Sequence, residues 1–221
     1  MTHIFTEQEK SILEKMTDFM LEYNQKVNLT RITAYNEIFE KHYIDSAIPL
    51  DLLDVPRGTS LIDIGTGAGF PGVPIKIARP DIKLTLLDSL KKRINYLNLL
   101  KLKLGTEYET IHGRSEELAR SKEFREKYDV GISRAVANLP ALCEYALPLV
   151  KPDGFFIAMK GENCEIESAE MALKLLGGSL VKTFKYELPS GDKRSLVIIK
   201  KISQTSAKYP RLRVNIIKTP L

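Results

Sequence analysis

Leu61-Ile-Asp63-Ile-Gly65-Thr-Gly67-Ala-Gly69-Phe70-Pro-Gly72 is an apolar strand that ends in an acid and breaks into a glycine-rich turn. Glycine suits such a turn because it allows positive φ and lets a ligand lie against bare backbone. The next apolar stretch, Lys83-Leu-Thr-Leu-Leu, stops at Asp88, 23 residues after Gly65. An acid about 20 residues beyond a glycine-rich turn, at the next strand end, is placed to accept hydrogen bonds from ribose hydroxyls. The stretch therefore predicts a nucleoside held at the carboxyl edge of a parallel sheet.

Two cofactor classes fit such an edge. Gly67-x-Gly69-x-x-Gly72 matches the dinucleotide pattern, which keeps a nicotinamide-dependent oxidoreductase in view. Counted from Gly65, however, the spacing is G-x-G-x-G, and Phe70 stands where the third dinucleotide glycine belongs. Asp63 would meet a pyrophosphate with like charge, whereas a cofactor with a cationic amino-acid end would welcome it. Asp63-x-Gly65-x-Gly67-x-Gly69 followed by Asp88 thus points to S-adenosylmethionine. The plainer role for Asp63, capping the turn that follows it, stays open.

Strand–helix alternation extends from this edge in the C-terminal direction. Strands fit 60–64, 83–87, 108–111, 128–133, 154–160, 178–186 and 194–200. Helices fit about 72–78, 91–103, 115–121, 138–148 and 163–176. This alternation predicts an α/β fold with a parallel sheet. Only Leu188-Pro-Ser-Gly-Asp-Lys193 separates the last two strands, too short for a crossover, so they form an antiparallel hairpin. A seven-stranded Rossmann-like sheet closing in such a hairpin is the class I S-adenosylmethionine-dependent methyltransferase pattern. Toward the N-terminus, Thr6-x-x-Glu9 opens a helix as a capping box. Ile12, Leu13, Met16, Phe19, Met20 and Tyr23 recur along it at helical spacing. A second helical stretch runs to about Leu53. The expected organisation is an N-terminal helical extension (1–55), a methyltransferase domain (56–204) and a basic C-terminal tail (205–221).

The chain has 221 residues, 43% hydrophobic and 28% charged, which suits one domain with an extension. No apolar run approaches the ~18 residues of a membrane span. The first ten residues lack a basic and then apolar signal pattern. Cys143 and Cys164 have no CxxC partner and no nearby His, as expected of free thiols in a reducing compartment, so no metal site is expected. A cytoplasmic monomer is the expectation. The net charge of +5 is uneven: residues 182–221 carry ten Lys/Arg and two acids, leaving −3 on the rest. That asymmetry suggests a polyanionic partner, with a solvated basic edge as the alternative. Lys92 and Arg93, at the start of a helix where cations are disfavoured, are further candidates for RNA contact.

The order of motifs carries more than any one of them. Tyr23-Asn-Gln-Lys-Val-Asn28-Leu-Thr30 precedes His42-Tyr-Ile-Asp45-Ser46. The glycine-rich turn, Leu87-Asp88-Ser89, Gly113-Arg-Ser115-Glu116, Ser133-Arg134-Ala135 and Lys160-Gly161 follow. This series resembles the glucose-inhibited division protein B family, bacterial methyltransferases of guanine N7 in small-subunit (16S) ribosomal RNA. The resemblance implies that Gly65 and Phe70 border the cofactor, and that Ser115 and Glu116 border its adenine. It implies that Arg134 lies at the active-site mouth, although an ion-pair role for Arg134 fits as well. It also implies a ribosomal RNA or subunit as partner, and the charge excess of the C-terminal part makes Lys208, Arg211, Arg213 and Lys218 the expected phosphate contacts. The tail departs from the family pattern, since Leu212, Val214 and Ile216 replace a Lys, a Gly and a Pro. Guanine N7 has a free lone pair and no proton, so no catalytic base is expected. A non-catalytic RNA-binding module is the remaining alternative.

Overall fold

The structure is a computed structural model that describes residues 3–134, 137–164 and 166–221. Ala135 of the Ser133-Arg134-Ala135 motif and Glu165 of the expected helix 163–176 lie outside the described residues.

Seven strands form one sheet: β1 (Ser60–Ile64), β2 (Lys83–Asp88), β3 (Glu109–His112), β4 (Tyr128–Arg134), β5 (Val150–Lys160), β6 (Gly178–Glu187) and β7 (Lys193–Lys201). Their order is β3-β2-β1-β4-β5-β7-β6. β1 to β5 run parallel, and β7 is antiparallel to both β5 and β6. The expected fold and hairpin are therefore present. β1 sits between β2 and β4, so the strand order reverses there, and ligands of open α/β sheets bind at the carboxyl ends beside such a point.

The parallel strands read as nearly unbroken apolar runs because both faces are covered. Successive side chains alternate between two cores. Leu61, Ile157, Met159, Leu196 and Ile198 face one side, packed by α1 (Glu7–Asn24), α3 (Asp45–Leu52), α4 (Gly72–Ala78) and α5 (Lys91–Leu104). Ile62, Ile64, Ala158, Val197 and Ile199 face the other, packed by α7 (Leu139–Ala146), α8 (Glu170–Leu176) and α9 (Arg213–Lys218).

The Thr6–Glu9 capping box is formed, and Leu13, Met16 and Met20 of α1 are fully buried. Phe19 stacks on Tyr96 of α5 at 5.7 Å, and the Thr17 and Tyr43 hydroxyls hydrogen-bond at 2.6 Å. The second stretch is helical as α2 (Tyr35–Ile38), a π-helical turn (Phe39–Ile44) and α3. Three other spans differ from expectation. β5 begins at Val150, before Pro152 and Gly154, because Val150 pairs with Tyr128 across a register shift. α6 is only Ser115–Leu118. The chain after β7 ends in α9, which the alternating apolar residues of the tail did not suggest.

Candidate active site

Each residue of the glycine-rich turn is held by a neighbouring strand end. Gly65 and Thr66 donate their N–H groups to Leu87 O at 2.8 and 3.1 Å. Asp63 is fully buried, and its Oδ2 accepts from Thr66 Oγ1 at 2.6 Å and Gly72 N at 2.9 Å. Burial pushes its carboxyl up to about 6, against the lowering effect of those two donors. The structure thus gives Asp63 the turn-holding role, and its Oδ1 is buried without a hydrogen-bond partner among the described residues.

Two glycines of the turn serve different ends. Gly67 has φ of +61°, and a Cβ there would meet no protein atom within 4 Å. A Cβ on Gly69 would meet Val73 Cγ2 at 2.7 Å and Leu97 Cδ2 at 3.2 Å, so Gly69 serves helix packing.

Asp88 closes the turn from β2. Its Oδ2 accepts from Gly67 N at 2.9 Å and Arg93 Nη1 at 3.2 Å, and its Oδ1 accepts from Leu90 N at 2.8 Å. Arg93, expected at RNA, has Asp88 as its ion-pair partner. Beside Asp88 opens a cleft of about 440 Å³. Gly65, Asp88, Ser115 and Glu116 line it, as do Asn138 and Tyr145 from the α7 segment and Arg213 and Ile217 from α9. Ser115 Oγ donates to Tyr145 O, which fixes the loop after β3 to α7. Glu116 is 7% exposed, and its Oε1 is buried without a partner among the described residues. A carboxylate with one unpartnered oxygen in a cleft wall, beside an acid at a strand end, fits the amino and hydroxyl donors of an adenosine.

Phe70 and Arg134 are not among the residues lining the cleft. Phe70 stacks on His42 at 4.5 Å, with the Arg134 guanidinium 5.3 Å from its ring centre. Arg134 Nη1 donates to Asp45 Oδ2 at 2.9 Å and Lys41 O at 3.1 Å. Asp45 also accepts from Tyr186 OH at 2.7 Å, so this buried carboxylate ties α3 to β4 and β6. His42 Nδ1 faces Arg134 Nη2 at 3.4 Å. Arginine only donates, so Nδ1 is the acceptor and Nε2 carries the proton toward Thr30 Oγ1 at 2.9 Å. Burial, aided by the Arg134 charge, pulls the imidazole down to about 3, and it stays neutral. His42, Asp45, Arg134 and Tyr186 line a second hollow of about 330 Å³ with Lys41, Lys160 and Arg194.

The basic candidates are scattered. Lys92 is exposed on α5, and Lys208 lies 5.1 Å over the Tyr209 ring. Lys218 is exposed at the end of α9. Arg213 lines the cleft instead of standing clear of it. Arg211 is bonded to Glu144, which no sequence signal linked to it. Asn138 and Tyr145 were also missed. The available signal was Asn138-Leu-Pro140, an N-cap followed by proline, and Asn138 Oδ1 does accept from Ala141 N at 3.1 Å.

Among solved structures the chain is similar to TrmN from Thermus thermophilus, with a TM-score of 0.57 and 18% identity over 71% of this chain and 48% of that one. It is also similar to the precorrin-6y C5,15-methyltransferase from Geobacter metallireducens, with a TM-score of 0.52 and 11% identity over 71% of this chain and 87% of that one. These likenesses concern the fold. Among curated proteins it is 50% identical to the ribosomal RNA small subunit methyltransferase G of Desulforamulus reducens, over 93% of this chain and 88% of that protein. The corresponding protein of Clostridium botulinum is 51% identical over 90% of this chain and 85% of its own length. Residues 9–196 match the family model GidB, rRNA small subunit methyltransferase G, and the chain belongs to that family.

Proposed function

We propose that this protein transfers a methyl group from S-adenosylmethionine to N7 of a guanine in 16S ribosomal RNA. Family membership makes S-adenosylmethionine the methyl donor and small-subunit ribosomal RNA the substrate. The observation that carries the site assignment is the pairing of Asp88 with the open Glu116 Oε1 in one cleft. In this reading Asp88 takes the ribose hydroxyls, and Glu116 and Ser115 border the adenine. Gly65 and Gly67 let the cofactor approach the backbone, and Asp63 holds the turn that shapes its amino-acid end.

When bound, the sulfonium supplies an electrophilic methyl group. The rest of the catalysis is positioning, because an in-line displacement gains most from alignment. N7 has no proton to lose, so the neutral His42 is not needed as a base. N7 lies in the deep, narrow groove of A-form RNA, so the target must be an unpaired or splayed base. The hollow around Arg134, Lys160 and Tyr186 is the place we assign to it. Asp45 and Lys41 O hold Arg134 at the rim, where it orients groups without covering N7, the nucleophile. Cys143 is buried, and burial pushes its thiol up to about 12, which argues against cysteine-dependent pyrimidine C5 transfer.

Among the described residues no helix is long and apolar enough to cross a membrane. A monomer working in the cytoplasm, where ribosomes assemble, is the reading that goes with a ribosomal RNA substrate. The test uses methyl-labelled cofactor and small-subunit RNA lacking its modifications. Borohydride reduction and aniline cleavage, specific for N7-methylguanine, then locate the label. Label confined to one guanine is expected. Label on another base type, or none, would overturn the reading.

A further inference from the structure

The family match ends at residue 196, yet the chain beyond it is closely anchored. Arg125 donates to Thr205 O at 2.6 Å and Tyr209 O at 2.9 Å. Arg120 donates twice to Pro210 O, at 3.1 and 2.8 Å. Fully buried Lys201 donates to Leu147 O at 2.6 Å and to Thr205 Oγ1, and pairs with Glu126 at 3.1 Å. Peptide carbonyls are the main acceptors, so the route of the segment is held without depending on most of its side chains.

The last anchor differs. Glu144 of α7 is 0% exposed. Arg211 gives it a backbone N–H at 2.7 Å and, in fork geometry, Nε at 3.0 Å to Oε1 and Nη2 at 2.7 Å to Oε2. A carboxylate buried this deeply requires such partners. The next residue along α7, Tyr145, lines the cleft, as does Arg213 two residues beyond Arg211. Ile216 is fully buried against the same core and anchors α9.

We infer that Arg211 is a positioning residue for the cofactor: its bridge to Glu144 joins α9 to α7, so that Arg213 and Ile217 complete the wall of the cleft. Within this segment Lys201 then holds the fold, while Arg211 and Arg213 shape the cofactor site. This rests on the cleft being the cofactor site, as proposed above.

The test measures S-adenosylmethionine affinity by calorimetry, with melting temperature and steady-state kinetics alongside. Arg211→Gln should weaken cofactor binding about tenfold and raise the cofactor KM. It should leave kcat at saturating cofactor and the KM for RNA near the parent values. Arg211→Lys, keeping the charge but not the fork, should fall between. Deleting residues 212–221 keeps the bridge and removes α9, and should cause the same loss, so it carries the test if Arg211→Gln does not fold. Parent-like cofactor affinity in folded Arg211→Gln and in the deletion would overturn the inference. So would a raised RNA KM with unchanged cofactor affinity, the result expected of a phosphate contact. Asp88→Ala serves as the control: if it too binds the cofactor normally, the assignment of the cleft has failed and not only the role of Arg211.

Discussion

Replacing Asp88 with alanine tests the centre of the cofactor assignment. Asp88 is 3% exposed, so its carboxylate is set by the protein before any ligand arrives. An ionised carboxylate offers about four acceptor directions. Three are taken, by Leu90 N, Gly67 N and Arg93 Nη1. One is left for a ribose hydroxyl. A charge-assisted hydrogen bond of that kind contributes about 1.5–3 kcal/mol, so Asp88→Ala should weaken S-adenosylmethionine binding roughly 10- to 150-fold. The three protein donors also lose their acceptor, but each belongs to a partly or fully exposed residue, where water can replace it. The fold should therefore survive, and Asp88→Asn, which keeps one carbonyl acceptor without the charge, should give an intermediate loss. Calorimetric titration with the melting temperature measured in parallel separates binding from stability. Affinity within twofold of the parent in a folded Asp88→Ala protein would refute the ribose assignment.

Three more outcomes follow from the geometry. Gly67→Val adds ~1–2 kcal/mol of backbone strain at φ of +61° but meets no protein atom, so it should fold and lose cofactor affinity; normal binding would show that the turn does not border the ligand. The Asp63 carboxyl is raised to about 6 from 3.8, so the folded state binds this proton more tightly across that window. Stability from this group is full below pH ~4 and is lost as pH rises through 6, so Asp63→Asn should show a smaller fall in melting temperature between pH 4 and 7 than the parent; identical slopes would mean that Asp63 does not titrate there. Changing Lys92, Lys208 and Lys218 together to Gln should weaken RNA binding and reduce its log–log salt slope by about 0.7 for each phosphate no longer neutralised, with cofactor affinity unchanged; an unaltered slope would leave these lysines as a solvated surface.

What the sequence revealed was what short-range physics determines. Strand β1 could be read because an apolar run ends in an acid and then glycine. The β6–β7 hairpin could be read because Leu188 to Lys193 is too short for anything else. Asp88 could be read because it sits at a strand end beyond the glycine-rich turn, whereas Ser115 and Glu116 came only with the family resemblance; all three line the cleft. What could not be read were partners distant in sequence. Arg211 looked like one more cation of a basic tail, and its partner Glu144 lies 67 residues away. Arg134 and Asp45 are 89 residues apart. Phe70 follows the turn directly, but its ring faces the π-helical turn of the N-terminal helices, which no local pattern encodes. Gly69 sits in a cofactor motif and yet is required by Val73 and Leu97.

In the proposed reading, the lining of the two hollows would let one small domain keep its two ligands apart. The cleft beside β2 is lined by Asp88 and Glu116, with Arg114 and Arg213 on its wall, and its acids suit a cofactor whose nucleoside end is rich in donors. The hollow beside β4 and β5 presents Lys41, Arg134, Lys160 and Arg194, which suit a polyanion. Phe70 and the neutral His42 stack between the turn and that hollow. A protonated His42 would stand beside the Arg134 guanidinium, so lowering the imidazole to about 3 avoids a second cation there. It also avoids placing extra positive charge near a guanine that becomes cationic as N7 is methylated. Asp45, buried and tied to Arg134 and Tyr186, offsets part of the charge that remains. With the guanine placed there, the arrangement would attract RNA through its phosphates while Asp45 and Asp192 limit the cationic field at the reacting ring, the balance that a methyl transfer to N7 requires.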